Sequence, residues 1–203
     1  MSVWRFIPFL LFLCSPLRVT ASEALPTLRV ATLSYGSANW ELQVMKAEGL
    51  DHAYGFNLNI VATQSPAAAA IAIQGGSADV SVQDWLWVLR QYQGDRVFRF
   101  YPFSTAVGSL MVPPDGARDI DDLRGAAVGI AGGAADKGWV LLSQWYQLRT
   151  GKTLSTQVSP KFASPPLLNQ LAIRGDLSAV LTYWHYAARL EAQGFKTLMS
   201  VSE

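Results

Sequence analysis

The amino-acid sequence predicts an α/β protein with two lobes, each built on a mainly parallel sheet that is flanked by helices. Two observations support this prediction. Short β-rich runs alternate with helical patterns along most of the chain, which is typical of βαβ units. An extended, proline-broken segment near residues 97–115 interrupts the alternation, as a crossover between two such units would. We therefore expect a cleft between two lobes.

The first residues have the pattern of a secretory signal peptide. Residues 1–5 carry one positive charge, residues 6–14 are apolar, and small residues at 19–22 offer a cleavage site. The apolar run is shorter than the roughly 20 residues that span a bilayer, although a retained anchor is the alternative. We expect residues 1–21 to be removed on export. Cys14 is the only cysteine and would leave with them, so no disulfide or reactive thiol is expected.

The charge balance argues against binding to nucleic acid or to an anionic membrane. The whole chain has 16 basic and 15 acidic residues, and removal of Arg5 and Arg18 leaves 14 basic residues against 15 acidic ones. A chain so close to neutral lacks the basic surface that phosphate backbones attract. We therefore expect a small-molecule ligand and no nucleic-acid partner.

The first half of the chain predicts three strand–helix units. The run Phe56–Thr63 alternates apolar and polar residues, as a half-buried strand does. Ser65 and Pro66 then supply an N-cap and a first-turn proline, and Gly75 with Gly76 ends the helix. The predicted strands are Thr27–Leu33, Phe56–Thr63 and Ala78–Val82, and the predicted helices lie at about residues 39–48, 67–74 and 84–94.

The second half continues the alternation after the extended segment. Gly151 ends a helix that starts near Asp136, and Ser164 with Pro165 opens the next helix. The predicted strands are Ala126–Ala131 and Ser178–Trp184, and the predicted helices lie at about residues 136–149, 165–176 and 185–194. The predicted domains are a first lobe at residues 22–105 and a second lobe at residues 106–203, with hinge segments at about residues 102–115 and 195–203.

Tryptophans follow four of the five predicted strands, namely Trp40, Trp85, Trp139 and Trp184. In open α/β sheets, ligands bind beyond the carboxyl ends of the strands, where helix N-termini also point. Core packing is the alternative for any single tryptophan. Four of them near one rim favour an aromatic-walled pocket for a small molecule.

The glycine pair Gly132-Gly133 lies between a strand and the helix that starts near Asp136. Glycines let the backbone approach closely, and a helix N-terminus favours an anion or a polar ring edge. Lys137 is a possible partner for such an anion, with a solvated lysine as the alternative. The structural alternative for the whole segment is a tight turn with Asp136 as N-cap. The segment matches neither a P-loop nor a dinucleotide-binding fingerprint.

Asp84 precedes the next helix and has an N-cap role as its structural alternative. Its functional interpretation has Asp84 and Trp85 facing the cleft, where the carboxylate accepts a hydrogen bond from an amine or a ring N–H. Trp87 lies about 200° around the helix from Trp85, so we expect Trp87 in the core. The other candidate ligand-binding residues are Tyr35, Ser37, Asn39, Trp40, Gln64, Ser65, Trp184 and His185.

The sequence offers little for catalysis. His52 and His185 are the only histidines, and neither has a carboxylate at metal-ligand spacing. A G-x-S-x-G motif and a cysteine nucleophile are also missing. We therefore expect no enzymatic activity, no metal and no cofactor.

Three stretches together resemble one known family. Residues 28–61, 69–88 and 119–133 look like the periplasmic substrate-binding proteins of ABC importers, and the similarity covers nearly all of residues 27–203. The group that they resemble most is that of the nitrate/sulfonate/taurine and thiamine-pyrimidine-precursor binders. The resemblance implies a type II periplasmic-binding-protein fold that closes on one small molecule.

The resemblance also implies function. The ligand would be a sulfonate, a taurine-like molecule, nitrate or a pyrimidine-like ring, and the partner would be an ABC permease in the inner membrane. The full-length protein would be a periplasmic monomer. The family's ligand loops match residues 35–40, 64–65, 84–85, 132–137 and 184–185.

Two expectations depart from that family. Its members are longer and return to the first lobe for its last strand and helices, so we expect the first lobe here to be incomplete. The alternative function is a periplasmic accessory protein of the same fold that serves a dehydrogenase or a sensor. Nothing in the sequence separates this alternative from a permease partner.

Overall fold

The computed structural model describes residues 24–92, 94, 97–105 and 107–201. The predicted signal peptide, residues 1–21, lies outside the described residues. The described chain forms two sheets, and we call each sheet with its helices a lobe.

The first lobe contains a three-stranded parallel sheet with the order β2-β1-β3. Its strands are β1 (Thr27–Leu33), β2 (Asn57–Thr63) and β3 (Val80–Ser81), and its helices are α1 (Ser37–Ala47), α2 (Leu50–Ala53), α3 (Pro66–Gln74) and α4 (Trp85–Gln91). Each predicted strand and helix of this half is present, and α2 is an additional short helix.

The second lobe contains a five-stranded sheet with the order β6-β5-β7-β4-β8. The strand β4 runs antiparallel to both its neighbours, and the other four strands share one direction. Its strands are β4 (Ser109–Val112), β5 (Ala127–Ala131), β6 (Ser159–Ala163), β7 (Ala179–Thr182) and β8 (Lys196–Ser200). Its helices are α5 (Lys137–Thr150), α6 (Leu154–Gln157), α7 (Pro165–Ile173) and α8 (Trp184–Glu191), with a 3-10 turn at Ile120–Leu123.

The helix boundaries follow from local chemistry. The Ser65 hydroxyl accepts a hydrogen bond from the Ala68 N–H at 3.1 Å, and Pro66 occupies the first turn of α3. Gly151 ends α5 in the left-handed conformation with φ of 71°, which costs a glycine little. These caps were predicted from the sequence and are confirmed.

The two faces of the second sheet carry separate cores. Along β4, Leu110 packs into one cluster and Met111 into the other, and Leu181 and Val180 of β7 divide in the same way. Adjacent strand residues point to opposite faces, so both faces of this sheet are covered by helices. The two sheets, each with its helices, confirm the predicted two-lobed α/β class.

Three strands of the structure were not predicted. The edge strand β6 contains Pro160, and proline in a strand is tolerated at an edge. The strands β4 and β8 lie inside the predicted hinge segments, residues 102–115 and 195–203, and both join the second sheet. The domain boundary and the hinges stay predictions. Among the described residues, no helix has the length and apolar character that crossing a bilayer requires.

Candidate functional site

A cavity of about 730 Å³ lies between the two lobes. Its walls come from the loops that follow β1, β3, β5 and β7 and from the connection between the lobes at residues 98–104. All four strands point their carboxyl ends at it, which is where open α/β sheets place their ligands.

Half of the predicted site residues line this cavity. They are Tyr35, Ser37, Asp84, Asp136, Lys137, Trp184 and His185. Three of these residues belong to the first lobe and four to the second. Residues at the predicted strand ends of both lobes therefore line one cavity.

The other seven predicted residues lie outside the cavity lining. Asn39 is buried within α1, and Ser65 is the N-cap of α3. The Gln64 carbonyl accepts a hydrogen bond from the Tyr35 hydroxyl at 3.3 Å. Trp40 packs edge-on against His185, with the ring centroids 5.5 Å apart. Gln64 and Trp40 therefore contact residues of the cavity wall without lining the cavity themselves. Trp85, Gly132 and Gly133 are described below.

The predicted orientation of helix α4 is reversed in the structure. Trp85 is 43% exposed and lies outside the cavity lining, whereas Trp87 lines the cavity and packs against Phe98 with centroids 5.2 Å apart. The Asp84 side chain caps the helix by accepting a hydrogen bond from the Trp87 N–H at 2.7 Å. Because Trp87 packs against Phe98 on the cavity side, the 200° between the two indoles turns Trp85 away. Trp139 is also not a cavity residue, because it is buried in the core of the second lobe.

The glycine-lined start of α5 holds a carboxylate of the chain itself. Asp136 accepts a hydrogen bond from the Gly138 N–H at 2.8 Å and another from the Tyr183 hydroxyl at 3.2 Å. A Cβ atom on Gly132 would lie 2.6 Å from both the Asp136 Oδ2 and the Tyr183 hydroxyl oxygen. Gly132 is therefore required for this pair to pack, and the predicted anion site at the helix start is occupied by Asp136.

Asp136 sits in an environment that disfavours its charge. Burial raises the pKa of this carboxyl, the charge of Asp84 raises it further, and the hydrogen bonds from Gly138 and Tyr183 counteract both. Burial also raises the pKa of the Tyr183 hydroxyl, and the neighbouring Asp136 adds to that shift. Tyr183 is accordingly a neutral donor to a carboxylate.

His185 and Thr182 line the cavity next to this pair. His185 is 9% exposed, and within the described part of the chain neither of its ring nitrogens has a hydrogen-bond partner. Thr182 is 2% exposed, and its hydroxyl likewise has no partner among the described residues. Burial, with a smaller contribution from Arg189, lowers the pKa of His185, so its ring is neutral near pH 7 with one donor and one acceptor to satisfy.

Aromatic contacts and a hydrogen bond connect the lobes around the cavity. Tyr35 packs edge-on against Tyr186 with the ring centroids 6.3 Å apart, and the Arg90 guanidinium donates to the Ala135 carbonyl at 3.3 Å. Trp40 contacts His185 in the same region. The two walls are thus in direct contact at their aromatic rim.

Sequence reasoning missed several cavity residues. Tyr183 was placed inside a predicted strand, but β7 ends at Thr182 and Tyr183 is the N-cap residue of α8. Phe98, Phe100 and Phe103 line the cavity from the connection between the lobes. The signal that could have found them is the density of aromatic residues in a segment predicted to cross between the lobes.

Within residues 24–92, 94, 97–105 and 107–201, no three His, Cys, Asp or Glu side chains come together as metal ligands do. The expectation that the protein binds no metal stays a prediction.

Solved structures of periplasmic binding proteins resemble this chain. The aliphatic sulphonate binding protein SsuA of Escherichia coli superposes with a TM-score of 0.63 at 17% identity, over 87% of this chain and 61% of that one. The alkanesulfonate-binding protein SsuA of Xanthomonas axonopodis pv. citri, bound to MOPS, gives 0.68 at 18% over the same shares. A binding protein of an ABC phosphonate transporter from Pseudomonas aeruginosa gives 0.66 at 10%, over 87% of this chain and 65% of that one.

These likenesses establish the fold, which is the type II periplasmic-binding-protein fold that the sequence resemblance implied. The chain spans about three fifths of the length of the two SsuA proteins. No family profile and no curated protein sequence matches it.

Proposed function

We propose that this chain is a periplasmic solute-binding protein that captures a small molecule in the cavity between its lobes and delivers it to an ABC permease in the inner membrane. The observation that carries the proposal is the cavity itself, whose walls come from the strand ends of both lobes. The structural neighbours are transport binding proteins and not enzymes, which supports a non-catalytic role. Their periplasmic location and the predicted signal peptide support export of this chain.

Binding in such a cavity brings two walls onto one ligand, so the ligand stabilises the closed arrangement. The sulfonate, taurine-like, nitrate and pyrimidine-like classes expected from the sequence all belong in a first panel, together with amines. Each compound is tested for a rise in the melting temperature of the purified full chain and for heat of binding by calorimetry. A ligand at 100 times its Kd adds about 2.7 kcal/mol to stability.

Trp87→Ala and Trp85→Ala form a matched pair for this test, because both remove an indole from helix α4 and only Trp87 lines the cavity. We expect Trp87→Ala to weaken binding of any compound that the wild type binds and Trp85→Ala to leave its Kd within about twofold, a surface-substitution effect. Equal losses in both variants would place the ligand elsewhere. A folded chain that binds nothing in the panel would favour the accessory role over solute capture.

A further inference from the structure

We infer that the cavity takes an organic cation, an ammonium, amidinium or guanidinium group on a small apolar or aromatic body, and that Asp136 and Asp84 bind its charge. The inference rests on the proposed solute-binding function and names the ligand class of that same cavity. It differs from the anionic ligands that the sequence resemblance implies.

The start of helix α5 is the place where an anionic ligand would have to bind. An anionic ligand would need the free N–H groups and the partial positive charge of this helix N-terminus. Asp136 already accepts the hydrogen bond from Gly138 there, at 2.8 Å. A sulfonate placed at this point would displace that carboxylate or lie against it, and like charges at short range in a partly buried site are unfavourable.

Acidic side chains line the cavity, and two of their carboxylates have no ion-pair partner among the described residues. Its acidic lining residues are Glu41, Asp79, Asp84 and Asp136, and its basic ones are Arg99 and Lys137. Asp79 is neutralised by Arg29, whose guanidinium donates to it at 2.6 Å. Among the described residues, neither Asp84 nor Asp136 forms an ion pair with a basic side chain.

Lys137 is adjacent to Asp136 in the chain and lines the same cavity. Among the described residues, however, the two side chains form no ion pair. A desolvated carboxylate that has no ion-pair partner is costly to the protein. A ligand cation is the group that would relieve this cost.

Two further polar side chains line the same cavity. His185 and Thr182 are nine-tenths or more buried, and among the described residues neither ring nitrogen of His185 nor the Thr182 hydroxyl has a hydrogen-bond partner. Buried polar groups are almost always satisfied, so these unpaired atoms mark a polar end of the cavity, although each atom is itself covered by its surroundings. An ammonium or guanidinium carries several N–H donors and can reach a carboxylate and a neighbouring acceptor together.

Aromatic side chains form much of the cavity wall. Tyr35, Trp87, Phe98 and Trp184 line the cavity, and aromatic faces attract cations when both are shielded from water. The same walls accept an aromatic or alkyl body. The cavity therefore combines charge recognition with a surface for the rest of the molecule.

The test uses matched compounds that share a skeleton and differ in charge. The pairs are 2-phenylethylamine with 2-phenylethanesulfonate, butylamine with butanesulfonate, and benzamidine with benzenesulfonate, and 2-phenylethanol serves as the neutral control. Binding to the full chain is measured by calorimetry and by thermal shift at pH 7.5. We expect at least one cation to bind and its sulfonate counterpart not to bind.

Three variants connect that result to the residues. Asp136→Asn and Asp84→Asn keep helix caps of equal quality and remove one charge each, and each should weaken cation binding roughly 10- to 100-fold, the usual worth of a charged hydrogen bond. Asp115→Asn removes a charge from an exposed residue outside the cavity and should leave the Kd unchanged.

The outcomes separate this inference from the proposed function. Binding of a sulfonate but of no cation would overturn the inference and leave solute binding intact. Binding of a cation that Asp136→Asn and Asp84→Asn do not weaken would also overturn it. A chain that circular dichroism shows to be folded and that binds neither member of any pair would overturn the solute-binding proposal, and the inference would fall with it.

Discussion

The two lobes differ in how they are packed. The core cluster of the first lobe consists of Ala31, Ala69, Ala72 and Ala78, and its larger buried apolar side chains are Val30 and Leu58. The second lobe buries more and larger side chains, such as Tyr146, Ile130 and Leu168. Each additional buried methylene contributes about 0.8 kcal/mol. The second lobe is therefore the more strongly held of the two, and the first lobe supplies a thin wall to the same cavity.

The largest expected effect comes from a matched pair of core and surface truncations. Leu168 of α7 is 0% exposed and Ile71 of α3 is 67% exposed. We expect Leu168→Ala to lower the free energy of unfolding by about 2–5 kcal/mol, because it leaves a cavity, and Ile71→Ala to change it by less than about 0.5 kcal/mol. Urea unfolding followed by circular dichroism measures both, and similar losses would contradict the burial of Leu168 in the core of the second lobe.

The next effect tests the turn that holds the Asp136–Tyr183 pair. Gly132 and Gly133 have φ of +84° and +108°, so alanine strains the backbone at either position, by about 1–2 kcal/mol. Only the Cβ at position 132 would collide with other atoms, whereas nothing lies within 4 Å of the one at position 133. We expect Gly132→Ala to cost a further 1–3 kcal/mol, about the usual range for overpacking.

The comparison of Gly132→Ala with Gly133→Ala removes the shared backbone strain. Thermal melts of both variants at one pH provide the measurement. If the two variants lost equal stability, the hydrogen-bonded pair would not be packed against Gly132 as the structure has it.

A smaller effect follows from the raised pKa of Asp136. Because the folded chain binds this proton more tightly than the unfolded chain does, ionisation of Asp136 lowers stability as the pH rises through its folded pKa. Asp136→Asn keeps the cap and removes the charge. We expect the ligand-free variant to melt a few degrees above the wild type at pH 7 and the difference to vanish near pH 4. A variant that is less stable at pH 7 would show that the carboxylate stabilises the fold.

The same lobes show what sequence can and cannot supply. Every predicted strand–helix unit is present, because caps such as Ser65 and Gly151 act on neighbouring residues. Their positions after predicted strands also indicated correctly that Asp84, Asp136 and His185 line a cavity. The predicted rotation of α4 was wrong. The contact of Trp87 with Phe98 orients this helix, and Phe98 lies in a connection whose sequence has no periodicity. The sequence left open whether a ligand or Asp136 itself occupies the start of α5, because a helix N-terminus looks the same in sequence in both cases; the structure shows the Asp136 cap, and the charge of the ligand stays a prediction.

The smallest expected effect is the pH dependence of the stability that Asp79 of the first lobe contributes. Its sign is opposite to that expected for Asp136. The Asp79 side chain accepts hydrogen bonds from the side chain and the backbone of Arg29, and these bonds lower its pKa to about 2. A carboxyl with a lowered pKa contributes stability above its unfolded pKa of 3.8 and loses that contribution as the pH falls towards 2. We expect Asp79→Asn to reduce stability slightly at pH 7 and not at all near pH 2. The pair is solvent-exposed, so the loss at pH 7 should shrink in high salt.

Melting temperatures of Asp79→Asn and Asp136→Asn across the same pH range should diverge in opposite directions from the wild type. Parallel curves would show that the two carboxylates do not differ in environment.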